Sequence, residues 1–190
     1  MGKSALMVMD IQNGIVERFG AAAEALQPLQ SALACARSHA IPVIFVRVAL
    51  RPGYPDVSPR NLSFSSLKER GGMLETDDAT QIWDGVRPLP LEVVVVKRRV
   101  SAFTGSGLEV ILRAQEIDHL ILCGIATSGV VLSTLRQAAD QDYGLTVLSD
   151  ACLDPDPEVH RVLVEKVFPR QAHVKTVAQW EDAVTSSQQT

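Results

Sequence analysis

Largely apolar runs recur along the chain at residues 4–9, 41–48, 91–96, 120–123 and 144–149, with a short segment at 173–177. Runs of this length, rich in Val, Ile and Leu, predict strands buried on both faces of a parallel sheet. Stretches with helical spacing lie between them. Residues 21–38 are rich in Ala and Leu, and Cys35 falls among them as a small core residue. Ser106 is placed to cap a helix over 107–115. Asp156 as cap, Pro157 in the first turn and Glu158 at the positive dipole end start another, running to about residue 168. A last helix follows, and the polar tail 185–190 is expected to fray. Strands that alternate with helices, without hairpin signals, predict an α/β fold: a mostly parallel sheet of about six strands between two helical layers, with right-handed crossovers.

The region from 49 to about 90 is the least regular, with turn-forming Arg51-Pro52-Gly53-Tyr54-Pro55-Asp56 and Ser58-Pro59-Arg60-Asn61. It is longer than most loops in compact domains, and such loops often serve as lids, binding loops or oligomer contacts. Arg51, Tyr54 and Arg60 are candidates to meet an acidic substrate, although for any one of them a solvated loop residue is the better reading.

Composition narrows the field. With 190 residues, no internal repeat and no linker, residues 1–190 read as one domain, enough to bury roughly 70% of its unfolded surface. A formal charge of −4, a pI near 5.5 and no basic stripe argue against a nucleic-acid partner. The apolar run before Asp10 is too short for a signal-peptide core or a membrane span. Cys35, Cys123 and Cys152 are odd in number and far apart, so no disulfide framework can be drawn and a reducing cytoplasm is the expected home. His39, His119, His160 and His173 lack ligand spacing; neither a metal nor a cofactor is expected.

Three strand ends carry candidate chemistry. Asp10 follows the first strand, Lys97 follows the third, and the fourth runs into Gly124-Ile125-Ala126-Thr127-Ser128-Gly129-Val130. Open parallel sheets place ligand groups at the carboxyl ends of strands. A strand turning sharply into a helix aims backbone N–H groups at one point, which suits a carboxylate or a developing oxyanion. Gly124 is read as breaking the strand, with Thr127 or Ser128 capping the helix. Each feature also has a plain structural reading: Asp10 as a cap of the turn Gln12-Asn13-Gly14, Lys97 as a solvated strand end, and the turn as one of the many strand–helix turns that carry no chemistry.

The segments Met7-Val8-Met9-Asp10-Ile11-Gln12-Asn13, Val96-Lys97-Arg98-Arg99-Val100-Ser101-Ala102-Phe103 and 120–136 together resemble the isochorismatase-like (cysteine hydrolase) superfamily. The likeness runs from about residue 5 to about residue 177. It implies a Rossmann-like strand order that gathers Asp10, Lys97 and the turn 124–130 at one edge. It also implies a lid over the pocket from the long loop, a pocket-lining aromatic at Phe103, and a non-proline cis peptide at Ile125–Ala126 that turns the N–H groups of Ala126 and Val130 inward. A homo-oligomer is implied as well. The family pattern Gly-x-x-Thr-x-x-Cys is matched by Gly124 and Thr127, but the nucleophile position holds Val130.

Valine has no nucleophilic atom, and Cys123 lies within a buried strand. Ser128 faces the turn, with no obvious base beside it. What the resemblance leaves is hydrolysis of an enol (vinyl) ether of a small carboxylate. Asp10 would be the acid, Lys97 its partner, and Gln12, Arg51, Phe103, Ala126, Thr127 and Ser128 the substrate contacts. A nearby Lys lowers a carboxyl pKa whereas burial raises it, so the acid role depends on which effect wins. The alternatives are a non-catalytic descendant that binds a small carboxylate or serves as an oligomer partner, and a hydrolase using Ser128 or a relocated thiol.

Overall fold

The structure, a computed structural model, describes residues 2–20 and 23–187. Six strands form one sheet: β1 (Lys3–Met9), β2 (Val43–Val48), β3 (Val93–Lys97), β4 (Ile117–Ile125), β5 (Gly144–Leu153) and β6 (His173–Lys175). Their order is β3-β2-β1-β4-β5-β6, and every neighbouring pair is parallel. The helices are α1 (Asn13–Arg18), α2 (Gln27–Ser38), α3 (Leu62–Arg70), α4 (Leu108–Ala114), α5 (Leu132–Ala139), α6 (Pro157–Val162) and α7 (Val177–Ser187). The result is a three-layer α/β/α arrangement. In the interior, α2 packs against α7 and β5, while α4 and α5 cover β4 and β5.

β1 is the central strand, and residues 5–9 are buried throughout. The sheet reverses its direction of growth between β1 and β4, which makes their carboxyl ends the switch point where open α/β sheets hold ligands. Met9 lies opposite Gly124 across that seam. A Cβ at Gly124 would stand 2.1 Å from the Met9 carbonyl oxygen, and the residue has φ +144°. Glycine there lets two backbones meet. It does not break the strand, as its sequence position suggested: β4 continues to Ile125.

Other boundaries differ for identifiable reasons. The expected end of β5 at residue 149 is overrun to Leu153, because the register against β4 shifts between Leu122 and Gly124. Asp150, expected to close that strand, instead accepts a hydrogen bond from the Val177 N–H at the start of α7 (2.8 Å). Neither Thr127 nor Ser128 caps α5, which is entered through a wide helical turn over Thr127–Val131 with no side-chain cap. Asp156 does cap α6, accepting from Glu158 and Val159 N–H groups. Ser106 accepts from the Leu108 N–H at 3.2 Å, at the head of α4.

The helix expected over 21–38 is a short turn Ala23–Leu26 followed by α2, with Pro28 in its first turn; residues 21 and 22 lie outside the described residues. The Thr185 and Ser186 hydroxyls donate back to the Glu181 and Asp182 carbonyls within α7, so the polar tail is helical to Ser187; residues 188–190 lie outside the described residues. Among the described residues, no helix is long and apolar enough to cross a membrane.

Gly124→Ala is expected to cost roughly 3 kcal/mol or more, because backbone strain and a backbone clash act together. Urea unfolding of the two proteins measures this; a loss under about 0.5 kcal/mol, the size of an ordinary surface change, contradicts the close-approach account.

Candidate active site

Asp10 ends β1 in the left-handed region (φ 57°), a conformation that aspartate tolerates better than most residues. Its N–H donates to the Val46 carbonyl of β2 at 2.8 Å, which ties the strand end down. Lys97 is the last residue of β3, two strands away. Two inter-strand spacings amount to about 10 Å, a gap that only a long side chain can close. Lys97 closes it: Nζ lies 2.9 Å from Asp10 Oδ2, and both residues are buried.

The ammonium has three N–H groups, and each has an acceptor. Besides Asp10, Nζ donates to the carbonyls of Arg99 (3.0 Å) and Val100 (2.9 Å), so the chain after β3 curls around the charge. The carboxyl is less well served. Asp10 Oδ1 is buried with no hydrogen-bond partner among the described residues. Burial pushes the Asp10 carboxyl above its ordinary range, outweighing the pull of the Lys97 charge and hydrogen bond.

The turn beside this pair begins at the Met9–Gly124 contact. The Ile125–Ala126 peptide bond is cis, and the Ala126 carbonyl accepts from the N–H groups of Gly129 (3.1 Å) and Val131 (3.2 Å). Val130 is buried and presents only hydrocarbon. Thr127 is also buried, its Oγ1 2.8 Å from His160 Nδ1. Ser128 is exposed, and its N–H donates to Asp154 Oδ2 at 2.7 Å, so the chain's own carboxylate occupies that donor. Sequence reasoning missed His160. Its only signal was a position one turn into α6, and a contact with a residue 33 positions earlier leaves no periodic trace.

The remaining candidates are dispersed. Gln12 is buried, and its amide is committed to the main chain: Nε2 donates to Val48 (2.9 Å) and Thr80 (2.8 Å) carbonyls, and Oε1 accepts from the Val48 N–H (2.8 Å). It joins β1, β2 and the long loop. The Phe103 ring lies 6.0 Å from that of Tyr143, so its aromatic contact is with the α5–β5 connection. Arg51 pairs with Asp56 and shares a small cleft with Arg98 and Arg99, while the Tyr54 hydroxyl donates to the Gly72 carbonyl at 3.0 Å.

The region 49–90 is more ordered than its sequence suggests. It contains α3 and two short helical turns, Asp78–Thr80 and Asp84–Val86. Arg98 pairs with Glu75, and the Arg99 guanidinium lies 5.3 Å from the centre of the Phe64 ring of α3. The residues that wrap Lys97 therefore also fasten this region over the strand ends.

The thiols stand apart from the acid pair. Cys123 is buried and donates to the Met7 carbonyl (3.2 Å); burial, with Cys152 nearby, pushes it well above the usual thiol range. Burial pushes Cys152 up to about 12, and Cys35 is also raised by burial. All three are held as thiols, the unreactive form. Among the described residues, no group of three or more His, Cys, Asp or Glu side chains is placed to hold a metal ion.

Comparison with known proteins identifies the family. The isochorismatase domain family matches residues 4–179. The uncharacterized isochorismatase family protein YecD of Escherichia coli O157:H7 is 29% identical over 185 residues, 92% of each chain. The ureidoacrylate amidohydrolase RutB of Pseudomonas syringae pv. syringae is 33% identical over 179 residues, covering 83% of this chain and 73% of that protein. The solved structure of an isochorismatase family protein from Burkholderia thailandensis superposes with a TM-score of 0.83 at 28% identity, covering 96% of both chains. With strand order, motif order and these matches in agreement, the chain belongs to the isochorismatase family of hydrolases.

Proposed function

We propose that the chain hydrolyses an enol ether of a small carboxylate, with Asp10 as the acid, Lys97 as its fixed partner and no cysteine nucleophile. The observation that carries this reading is the buried, unpartnered Oδ1 of Asp10, on a carboxyl that burial holds toward its protonated form despite Lys97. An acid that must give up a proton near neutral pH needs such a setting. The proton passes to the terminal carbon of the enol ether, whose C=C electron pair forms the new C–H bond. The resulting cation is stabilised by the ether oxygen, and water adds to it. The added water returns a proton to Asp10, and the hemiketal collapses to an alcohol and a 2-oxo acid. Lys97 lowers the energy of the Asp10 carboxylate in the interval. Arg51 and the turn at Ala126 are the proposed contacts for the substrate carboxylate; at Thr127 and Ser128 a substrate would have to displace the contacts with His160 and Asp154.

Thiol-based amide cleavage finds no support in the residues present: Val130 stands at the nucleophile position, Cys123 and Cys152 are core groups, and half-buried Cys35 lies on α2, away from the strand ends. Ser128 lacks a base, since the imidazole near the turn meets Thr127 instead. A second reading, binding of a small carboxylate without turnover, is favoured by the hydrocarbon surface at Val130.

Asp10→Asn keeps the shape of the side chain but removes the transferable proton. It is expected to lower pyruvate release from isochorismate by about 10²–10⁴-fold, while iodoacetamide treatment of the native protein leaves the rate intact. Activity that survives Asp10→Asn but is lost on alkylation points to a thiol and overturns the acid mechanism. If no enol ether is turned over, yet small carboxylates raise the melting temperature, the binding reading replaces it.

The pH dependence has a definite sign. A carboxyl raised in the folded state stabilises the fold when protonated. That contribution is complete below its ordinary value of 3.8 and is lost as pH rises through the folded pKa. The stability of Asp10→Asn relative to wild type should therefore increase with pH from about 4 upward, and turnover by wild type should fall as Asp10 loses its proton. Urea midpoints and rates measured across pH test this; a stability difference that does not vary with pH would rule out burial as the controlling effect.

A further inference from the structure

At the end of the sheet opposite Asp10, the structure contains a cavity of about 570 Å³ between the amino ends of β1, β4, β5 and β6 and the helices α2 and α7. Its position is set by β1 itself: Ser4 lines this cavity and Asp10 lies six residues on, about 20 Å along an extended strand. One wall is apolar, formed by Ile41, Ile121, Val184 and the buried ring of Trp180. The other carries His39, His119, His173 and Lys175. Among the described residues, no Asp or Glu lines the cavity.

Among the described residues Lys175 has no carboxylate partner, although eight other cation–carboxylate pairs are formed. His119 Nε2 lies 2.9 Å from the Thr146 hydroxyl, which fixes the ring and leaves Nδ1 as its second polar atom. His39 Nδ1 is 2.9 Å from the Cys35 carbonyl, which leaves Nε2. The His119 imidazole is held below its usual range by burial and by His173, with Lys175 acting in the same direction and Asp118 against it. A half-buried ammonium beside imidazoles, with Asp118 acting on His119 but no carboxylate paired with Lys175 among the described residues, is an arrangement that a bound anion would relieve. The volume falls in the range of small-molecule sites, about 300–1,000 Å³, and an apolar lining with a few convergent polar groups is their usual make-up.

We propose that this cavity is a second binding site, for a small anion with an apolar body such as an aromatic carboxylate. The ring lies against Trp180 and the neighbouring aliphatic side chains, and the carboxylate lies among Lys175, His119 and His173. The inference is independent of the chemistry proposed for Asp10, since no residue is shared between the two sites.

The chain has two tryptophans, Trp83 and Trp180, so Trp83→Phe leaves Trp180 as the sole tryptophan, excited selectively over the two tyrosines. Benzoate titrated into this protein should quench Trp180 saturably, with benzyl alcohol, its uncharged counterpart, at least tenfold weaker. Lys175→Gln and His119→Gln in the same background should each weaken benzoate at least tenfold, and Asp10→Asn should leave it unchanged. The lysine variant keeps the test sound if the histidine variant folds poorly, because among the described residues the Lys175 side chain makes no hydrogen bond or ion pair that holds the strand. No saturable quenching below about 10 mM benzoate, the limit of weak specific binding, overturns the proposal. So does equal binding of benzyl alcohol, or benzoate affinity unchanged in Lys175→Gln.

Discussion

The structure depends on keeping one carboxyl–lysine contact out of water. Asp10 and Lys97 belong to strands that do not touch, yet their side chains meet across the carboxyl end of β2 in a buried setting. Buried charges cost several kcal/mol each unless geometry and additional hydrogen bonds compensate. The compensation is uneven. Lys97 is fully coordinated by Asp10 and two carbonyls, whereas Asp10 keeps one oxygen without a partner. That asymmetry separates a rigid cation from a carboxyl with unused capacity. It also shapes the surroundings: the segment that curls around Lys97 presents Arg98 and Arg99 to Glu75 and Phe64, and so holds the long region after β2.

The sheet was legible because its strands are buried on both faces, so that burial alone imposes an unbroken apolar run. All six were found, and the resemblance supplied their order. What escaped was set by contacts between distant segments. β5 overruns its apolar run because β4 is out of step with it at Gly124, and nothing within β5 records that shift. Helices α1 and α3 are short and bury one residue each, Val16 and Phe64, too few to establish a period. Gln12 looked like a polar group near the site, but its amide serves three backbone groups instead. The meeting of Asp10 and Lys97 followed from the strand order, and the His160–Thr127 contact could not have followed from either helix alone.

Among family relatives whose names declare amidohydrolase activity, this chain offers a different balance of groups. A thiol mechanism needs an accessible, ionisable sulfur; here Cys123 and Cys152 are core groups, half-buried Cys35 sits on α2, burial raises all three, and position 130 is valine. The carboxyl and its lysine remain, as does the turn. Fold and family therefore constrain the location of the chemistry more tightly than its type, and the environment of Asp10 carries the weight of the functional argument.

The two carbonyls that hold Lys97 have a consequence for how the sequence can vary. They belong to the main chain of Arg99 and Val100, so the identity of those side chains has no bearing on the coordination. Substitutions there can accumulate while the cation stays in place. Path length is another matter: adding or removing one residue between positions 97 and 100 changes which carbonyls reach Nζ. The site is thus tolerant of replacement and intolerant of insertion or deletion over the same few residues, a pattern that reads as variability in composition with constancy in spacing.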